Sequence, residues 1–128
     1  YITDGDIAGA LSVIGDQPKN DIYYSTGGGP EGVIVAAALS CYGGQIQGRL
    51  VLNEEEKVRA KKLGIKDFNK KYNIDDMVKG DIIFCATGVT SGDLANGVKD
   101  LGNEFEVNTF TLHKSQKIIK SVTNIYNK

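Results

Sequence analysis

Residues 21–25, Asp-Ile-Tyr-Tyr-Ser, run straight into Thr26-Gly27-Gly28-Gly29-Pro30-Glu31-Gly32 and then into a stretch of small apolar residues. That order reads as strand, glycine loop and helix N-terminus, and it binds the chain to architectures in which strands feed helices through short loops. Three successive glycines can take positive φ and bring a ligand close to bare backbone, so at least one of Gly27, Gly28 and Gly29 is expected in that region. Pro30 suits the first helical position, where its missing N–H costs nothing. A helix starting there turns free N–H groups and the positive end of its dipole toward the loop, which makes the loop an anion site. Glu31 complicates this, because a carboxylate in the first turn suits the dipole but repels a phosphate in the same place. A divalent cation between the two removes the conflict, whereas a tight turn with a dipole-matched glutamate needs no ligand at all.

A chain of 128 residues, 41% of them hydrophobic and 8% aromatic, is long enough for one domain with a real core. Its net charge of −1, with both signs interspersed, provides no basic field for nucleic acid or an anionic membrane, so a small-molecule ligand is expected. Cys41 and Cys85 lie in apolar segments without metal-ligand spacing and read as buried, reduced thiols, which points to the cytoplasm. The uncharged stretch from Gly32 to Gln47 is too short and too polar to span a bilayer, and no signal peptide is expected. The chain opens at Tyr1 without methionine and places Thr3-Asp4-Gly5-Asp6 directly before a helical pattern, which reads as a C-terminal fragment of a larger protein.

Strand and helix patterns then alternate. Asp4 or Asp6 can cap a helix to about Ile14, with Ile7, Ala8, Leu11 and Ile14 at helical spacing. A turn over 17–20, the strand 21–25 and a helix over 30–42, buried on most sides, follow, and Gly43-Gly44 ends that helix. Residues 45–52 alternate as a strand. Asn53 and Glu56 stand at capping-box spacing before a charged, solvent-facing helix over 54–63. A helical turn over 74–79 precedes the buried strand 82–86, a second glycine loop over 87–93 and a short helix to about Val98. Two antiparallel strands, 105–114 and 117–126, close the chain around Ser115-Gln116. The expected class is α/β, a mixed sheet flanked by helices, with ligand loops gathered at the carboxyl ends of its strands.

Gly27-x-Gly29-x-x-Gly32 also fits the dinucleotide fingerprint, with Glu54 about 20 residues further on as a ribose-binding acid. Pro30-Glu31 opposes this by placing negative charge where a pyrophosphate would dock, so a metal-assisted phosphate site fits better and a nucleotide-binding module is the alternative. His113 reads as a solvated or hydrogen-bonded strand residue, and Asp93 as the cap of the next helix in preference to a ligand contact. Arg49 can pair with a carboxylate or line the cleft. Lys57, Lys61, Lys62 and Lys66 read as a solvated helix face.

Asp4-Gly5-Asp6-Ile7-Ala8, Gly28-Gly29-Pro30-Glu31-Gly32-Val33, Ala36-Ala37-Ala38, Gln47-Gly48-Arg49-Leu50-Val51, Asn53-Glu54-Glu55-Glu56 and the run from Phe84 through Thr87-Gly88-Val89-Thr90-Ser91-Gly92-Asp93 to Leu94 together resemble class II fructose-1,6-bisphosphatase. The resemblance covers essentially the whole chain and implies that residues 1–128 are the C-terminal domain of a longer enzyme whose N-terminal domain is absent. It implies the layered α/β fold of metal-dependent sugar phosphatases, and removal of the 1-phosphate of fructose 1,6-bisphosphate in gluconeogenesis with Mn²⁺ or Mg²⁺. Some members also cleave sedoheptulose 1,7-bisphosphate. By the same resemblance Asp4, Gly5, Asp6 and Gly28 contact substrate and Glu31 binds metal. The catalytic threonine and lysine, the phosphate-binding arginines and the other metal carboxylates lie upstream, so no catalytic residue falls in this chain. A sugar bisphosphate is the expected partner, and a homo-oligomer the expected state of the full-length enzyme.

Overall fold

The computed structural model describes residues 7–15 and 17–128 in full and residue 6 as backbone. Helix α1 (Asp6–Leu11) is shorter than its apolar spacing suggests. Ser12 tightens its end by donating its hydroxyl to Gly9 O at 2.6 Å, and the Ser12 carbonyl is taken by the N–H groups of Lys19 and Asn20 instead of a further turn. Gly15 then bends the chain at φ +106°, a conformation that favours glycine.

Residues 21–25 run without strand pairing, contrary to expectation. A strand is stabilised by its ladder, and no described strand lies beside this one. Ile22 and Tyr24 stand 82% and 93% exposed, while Tyr23 between them turns inward and packs against the core.

Helix α2 (Gly29–Tyr42) forms as expected. Gly43 ends it at φ +76°, donating to Leu39 O, and Gly44 donates to the same carbonyl at 2.9 Å. Val35, Ala36, Ala38 and Leu39 face inward, whereas Val33 and Ile34 are 44% and 42% exposed. Strand β1 (Gln47–Arg49), three residues of the expected eight, pairs antiparallel with β2 (Lys71–Asn73). Between them, α3 (Glu54–Lys62) carries the expected capping box. Asn53 Oδ1 accepts from Glu56 N–H at 2.9 Å, and Glu56 Oε2 accepts from Asn53 N–H at 2.8 Å. The short helix α4 (Ile74–Met77) follows β2 directly.

The main sheet is built from β3 (Ile83–Thr87), β4 (Lys99–Asp100), β5 (Glu104–His113) and β6 (Ile118–Asn127). Central β5 pairs along its whole length with β6, from Glu104↔Asn127 to His113↔Ile118. Its other edge is shared by β3 (Ile83↔His113 to Thr87↔Thr109) and the unanticipated β4. The chain is α/β, and in place of mixed pairing every described strand pair is antiparallel.

Helix α2 covers this sheet and α1 packs on α2, around a core of Ala10, Leu11, Val35, Ala38, Leu39, Phe84 and Leu112. Strand β3, expected to be buried, turns Phe84 inward and leaves Ile83 and Cys85 exposed, so Cys85 is not a core thiol; Cys41 is half-buried against the core. The helix expected after Asp93 does not form. The N–H groups of Asn96, Gly97 and Val98 go to Asn108 Oδ1, Ser91 Oγ and Val89 O instead of to carbonyls one turn back. No described helix is long and apolar enough to cross a membrane.

Candidate functional site

Helix α2 begins with its N-terminal turn open to solvent. Gly28 is the N-cap at φ −68°, ψ 146°, and its carbonyl accepts the first helical bond from Gly32 N–H at 3.1 Å. Positive φ occurs at Gly15, Gly43, Gly64, Gly80 and Gly102, but not at Gly27, Gly28 or Gly29, so the expectation of a left-handed residue in this loop is corrected. Gly29 is the first helical residue and Pro30 the second, one place later than expected, where its fixed φ still suits the first turn.

Gly28 meets the flexible, exposed end of Glu31. The Glu31 side chain folds back over it, so that a Cβ on residue 28 would overlap Glu31 Oε2 and lie 2.9 Å from its carboxyl carbon. The exposed carboxylate thus rests over the positive end of α2.

Glu31 also stands on an open groove of about 580 Å³, lined otherwise by Ile7, Ala8, Ile34, Phe84, Cys85, Ala86 and Leu94. The lining is apolar apart from this carboxylate. Asp4 and Gly5 lie outside the described residues; Asp6 opens α1, next to Ile7 on the groove wall, and its side chain also lies outside them. No group of three His, Cys, Asp or Glu side chains converges among the described residues. Glu31 offers the hard oxygen donor that a divalent cation takes, but a cation needs about six such oxygens, so these residues fit as one part of a ligand set.

A second, smaller cleft of about 150 Å³ lies on the other side of Ala8 and Leu94 and is lined also by Lys19 and Asp93. Asp93 caps no helix; its carboxylate pairs with Lys19 Nζ at 2.8 Å on the surface. Arg49 is exposed on β1 and lines neither cleft. The lysine-rich face of α3 is solvated as expected, with Lys57 reaching Glu54 at 2.6 Å and Lys61 lying over the Phe68 ring.

His113 is hydrogen-bonded, as its place in a strand suggested, and its partner was not foreseen. Its Nε2 lies 2.9 Å from Asp81 Oδ2, and Ser115 donates its hydroxyl to the same oxygen at 2.7 Å and its N–H to Oδ1 at 3.0 Å. Hydrogen bonds from Ser115 and then His113 hold the Asp81 carboxyl well below the usual carboxylate range. Ser115 Oγ approaches the same imidazole nitrogen that faces Asp81, at 3.2 Å, so no relay through the two ring nitrogens exists and the cluster ties the β5–β6 turn to the start of β3. The sequence signal was slight: an aspartate after Gly80 and a serine two residues past the histidine, joined only once the strand register is known.

The nucleotide-binding alternative loses the strand before its glycines, and no parallel pair flanks the loop among the described strands. A family model described as bacterial fructose-1,6-bisphosphatase, glpX-encoded, matches residues 1–126. The chain is 31% identical over 140 residues to fructose-1,6-bisphosphatase 2 class 2 of Escherichia coli (strain K12), covering 98% of this chain and 43% of that protein. It is 34% identical over 141 residues to the D-fructose 1,6-bisphosphatase class 2/sedoheptulose 1,7-bisphosphatase of Synechococcus sp. (strain JA-3-3Ab), covering 99% and 41%. A third relative, fructose-1,6-bisphosphatase class 2 of Haemophilus influenzae (strain ATCC 51907 / DSM 11121 / KW20 / Rd), is 33% identical over 140 residues, covering 98% and 42%. The chain therefore spans about two fifths of the length of the curated relatives it matches.

Proposed function

Because the chain belongs to the glpX-encoded bacterial fructose-1,6-bisphosphatase family, we propose that it supplies the C-terminal part of a cytoplasmic, metal-dependent phosphatase that removes the 1-phosphate of fructose 1,6-bisphosphate. The observation that carries this reading at the level of residues is the Glu31 carboxylate folded over the start of α2, at a glycine that leaves room for it. An anionic side chain there repels a bare phosphate, and makes chemical sense at a phosphate site when a cation joins the two.

In this reading Glu31 is one ligand of Mn²⁺ or Mg²⁺, and the remaining oxygens come from a part of the enzyme outside these 128 residues. When bound, the cation supplies Lewis-acid polarisation of the phosphoryl group and a more acidic water. Asp4 and Asp6 accept hydrogen bonds from sugar hydroxyls, a role suited to anions beside a polyol, and Gly28 presents backbone without a side chain in the way. Phosphate release from fructose 1,6-bisphosphate by the full-length protein, dependent on Mn²⁺ or Mg²⁺ and abolished by chelation, is the test. A full-length protein that binds NAD or AMP in calorimetry and releases no phosphate would replace this reading with the nucleotide-binding one.

A further inference from the structure

Residues 88–98 form neither helix nor strand, yet they are fastened throughout. Gly88 N–H donates to Asn108 O at 3.1 Å, Val98 N–H to Val89 O at 3.2 Å and Gly97 N–H to Ser91 Oγ at 2.9 Å. The buried side chain of Asn108 accepts from Asn96 N–H at 3.1 Å while donating to Ser121 Oγ at 2.8 Å and Thr123 Oγ1 at 3.1 Å. One amide therefore bolts the loop to β5 and β6 together. The two limbs of the loop cross so closely that a Cβ on Gly88 would overlap the Asn96 carbonyl and one on Gly97 would lie 2.6 Å from Ser91 N.

From this stiff loop Leu94 reaches the core, half-buried. Leu94 and Ala8 line both clefts, so they form the ridge between the Glu31 groove and the Lys19–Asp93 cleft, with the loop on one side and α1 on the other. The Lys19–Asp93 pair ties the same loop to the segment after α1. A helix of six residues has little stability of its own, so its direction is set by what it packs against: α2, and the core that Leu94 also meets.

We propose that Leu94 is a positioning residue: held from β5 through Asn108, it sets how α1, and with it Asp6, is placed relative to Glu31 on α2. The inference rests on the proposed roles of Asp6 in substrate contact and Glu31 in metal binding. Leu94 touches no reacting group; it acts through α1.

The test uses the full-length enzyme and compares Leu94→Ala, Leu94→Val and Leu94→Met with Phe105→Leu, a half-buried β5 position that lines neither cleft. Leu94→Ala is expected to raise KM for fructose 1,6-bisphosphate on the order of tenfold, with a smaller fall in kcat. Leu94→Val should show the same split at lower amplitude, and keeps the comparison available if the alanine variant does not fold. Leu94→Met, close in volume, should restore KM, and Phe105→Leu should lower Tm without moving KM. Leu94→Ala and Leu94→Val that lose Tm at unchanged KM would overturn the proposal. Glu31→Gln and Asp6→Asn run in parallel separate the two failures. If both keep wild-type metal dependence and KM, the site reading falls and this inference with it; if both are impaired while the Leu94 variants keep KM, the positioning role alone falls.

Discussion

Ser115 donates its hydroxyl to Asp81 Oδ2 at 2.7 Å, joining the turn after β5 to the residue before Ile82 across 34 positions of sequence. His113 shares that carboxylate oxygen, so one surface aspartate holds three elements of local structure: the entry to β3, the end of β5 and the hairpin turn.

The first prediction concerns acid stability. Asp81 has a folded-state pKa below its unfolded value, so its contribution is present above the unfolded carboxylate pKa, about 3.9, and is lost as pH falls through the folded one. Asp81→Asn should therefore melt below wild type near neutral pH, and the two Tm curves should converge as pH falls below about 4. A gap that stays constant to the lowest pH would assign the effect to geometry instead of charge.

Glycines in the two loops should respond in opposite ways to alanine. Gly88→Ala meets the Asn96 carbonyl and should cost about 1–3 kcal/mol, read by urea unfolding. Gly29→Ala meets nothing within 4 Å and has no left-handed backbone to lose, so it should be neutral or stabilising by up to about 1 kcal/mol. Strong destabilisation by Gly29→Ala would show that the first loop is tighter than its geometry indicates.

The 128-residue chain assayed alone should release no phosphate from fructose 1,6-bisphosphate with Mn²⁺ or Mg²⁺, since among the described residues Glu31 has no converging partners to complete a ligand set. Turnover surviving controls for contaminating phosphatase would sink the shared-site argument.

In the full-length enzyme, Glu31→Gln should keep the fold while raising the metal concentration for half-maximal activity on the order of 10-fold or more and lowering kcat. Glutamine preserves shape and removes charge, so the defect reports metal binding once thermal melts match. Wild-type metal dependence in a folded Glu31→Gln enzyme would leave Glu31 as a dipole-matched helix residue.

Features that depend on neighbours in sequence were legible beforehand. The Asn53–Glu56 box, the Gly43 stop and the turn from which the β5–β6 ladder runs each draw their partners from a few residues away, so residue type and spacing sufficed. What failed depends on distant partners. Ile22-Tyr23-Tyr24 has strand composition but no described strand beside it, and the stretch after Asp93 reads as a short helix while its N–H groups are claimed by Asn108, Ser91 and Val89. Cys85 was misplaced because Ile82-Ile83-Phe84-Cys85-Ala86 shows no alternation, yet α2 covers one face of that strand alone. Around the candidate groove, the helix start that carries Glu31 was readable, whereas the Leu94 ridge required the loop's crossing to be seen.

The register of β5 bears on the order in which the molecule assembles. Its pairing with β6 grows outward from a turn of adjacent residues, so it can zip without bringing distant chain together, while β3 and α2 must close longer loops before they gain contacts. The hairpin should therefore be the early nucleus, with high φ-values at Val107 and Val122, and low ones at Val35 and Leu39 on α2. A late-docking α2 brings Glu31 into place last, so the open groove it borders takes shape only on a platform already built; high φ-values on α2 would reverse that sequence.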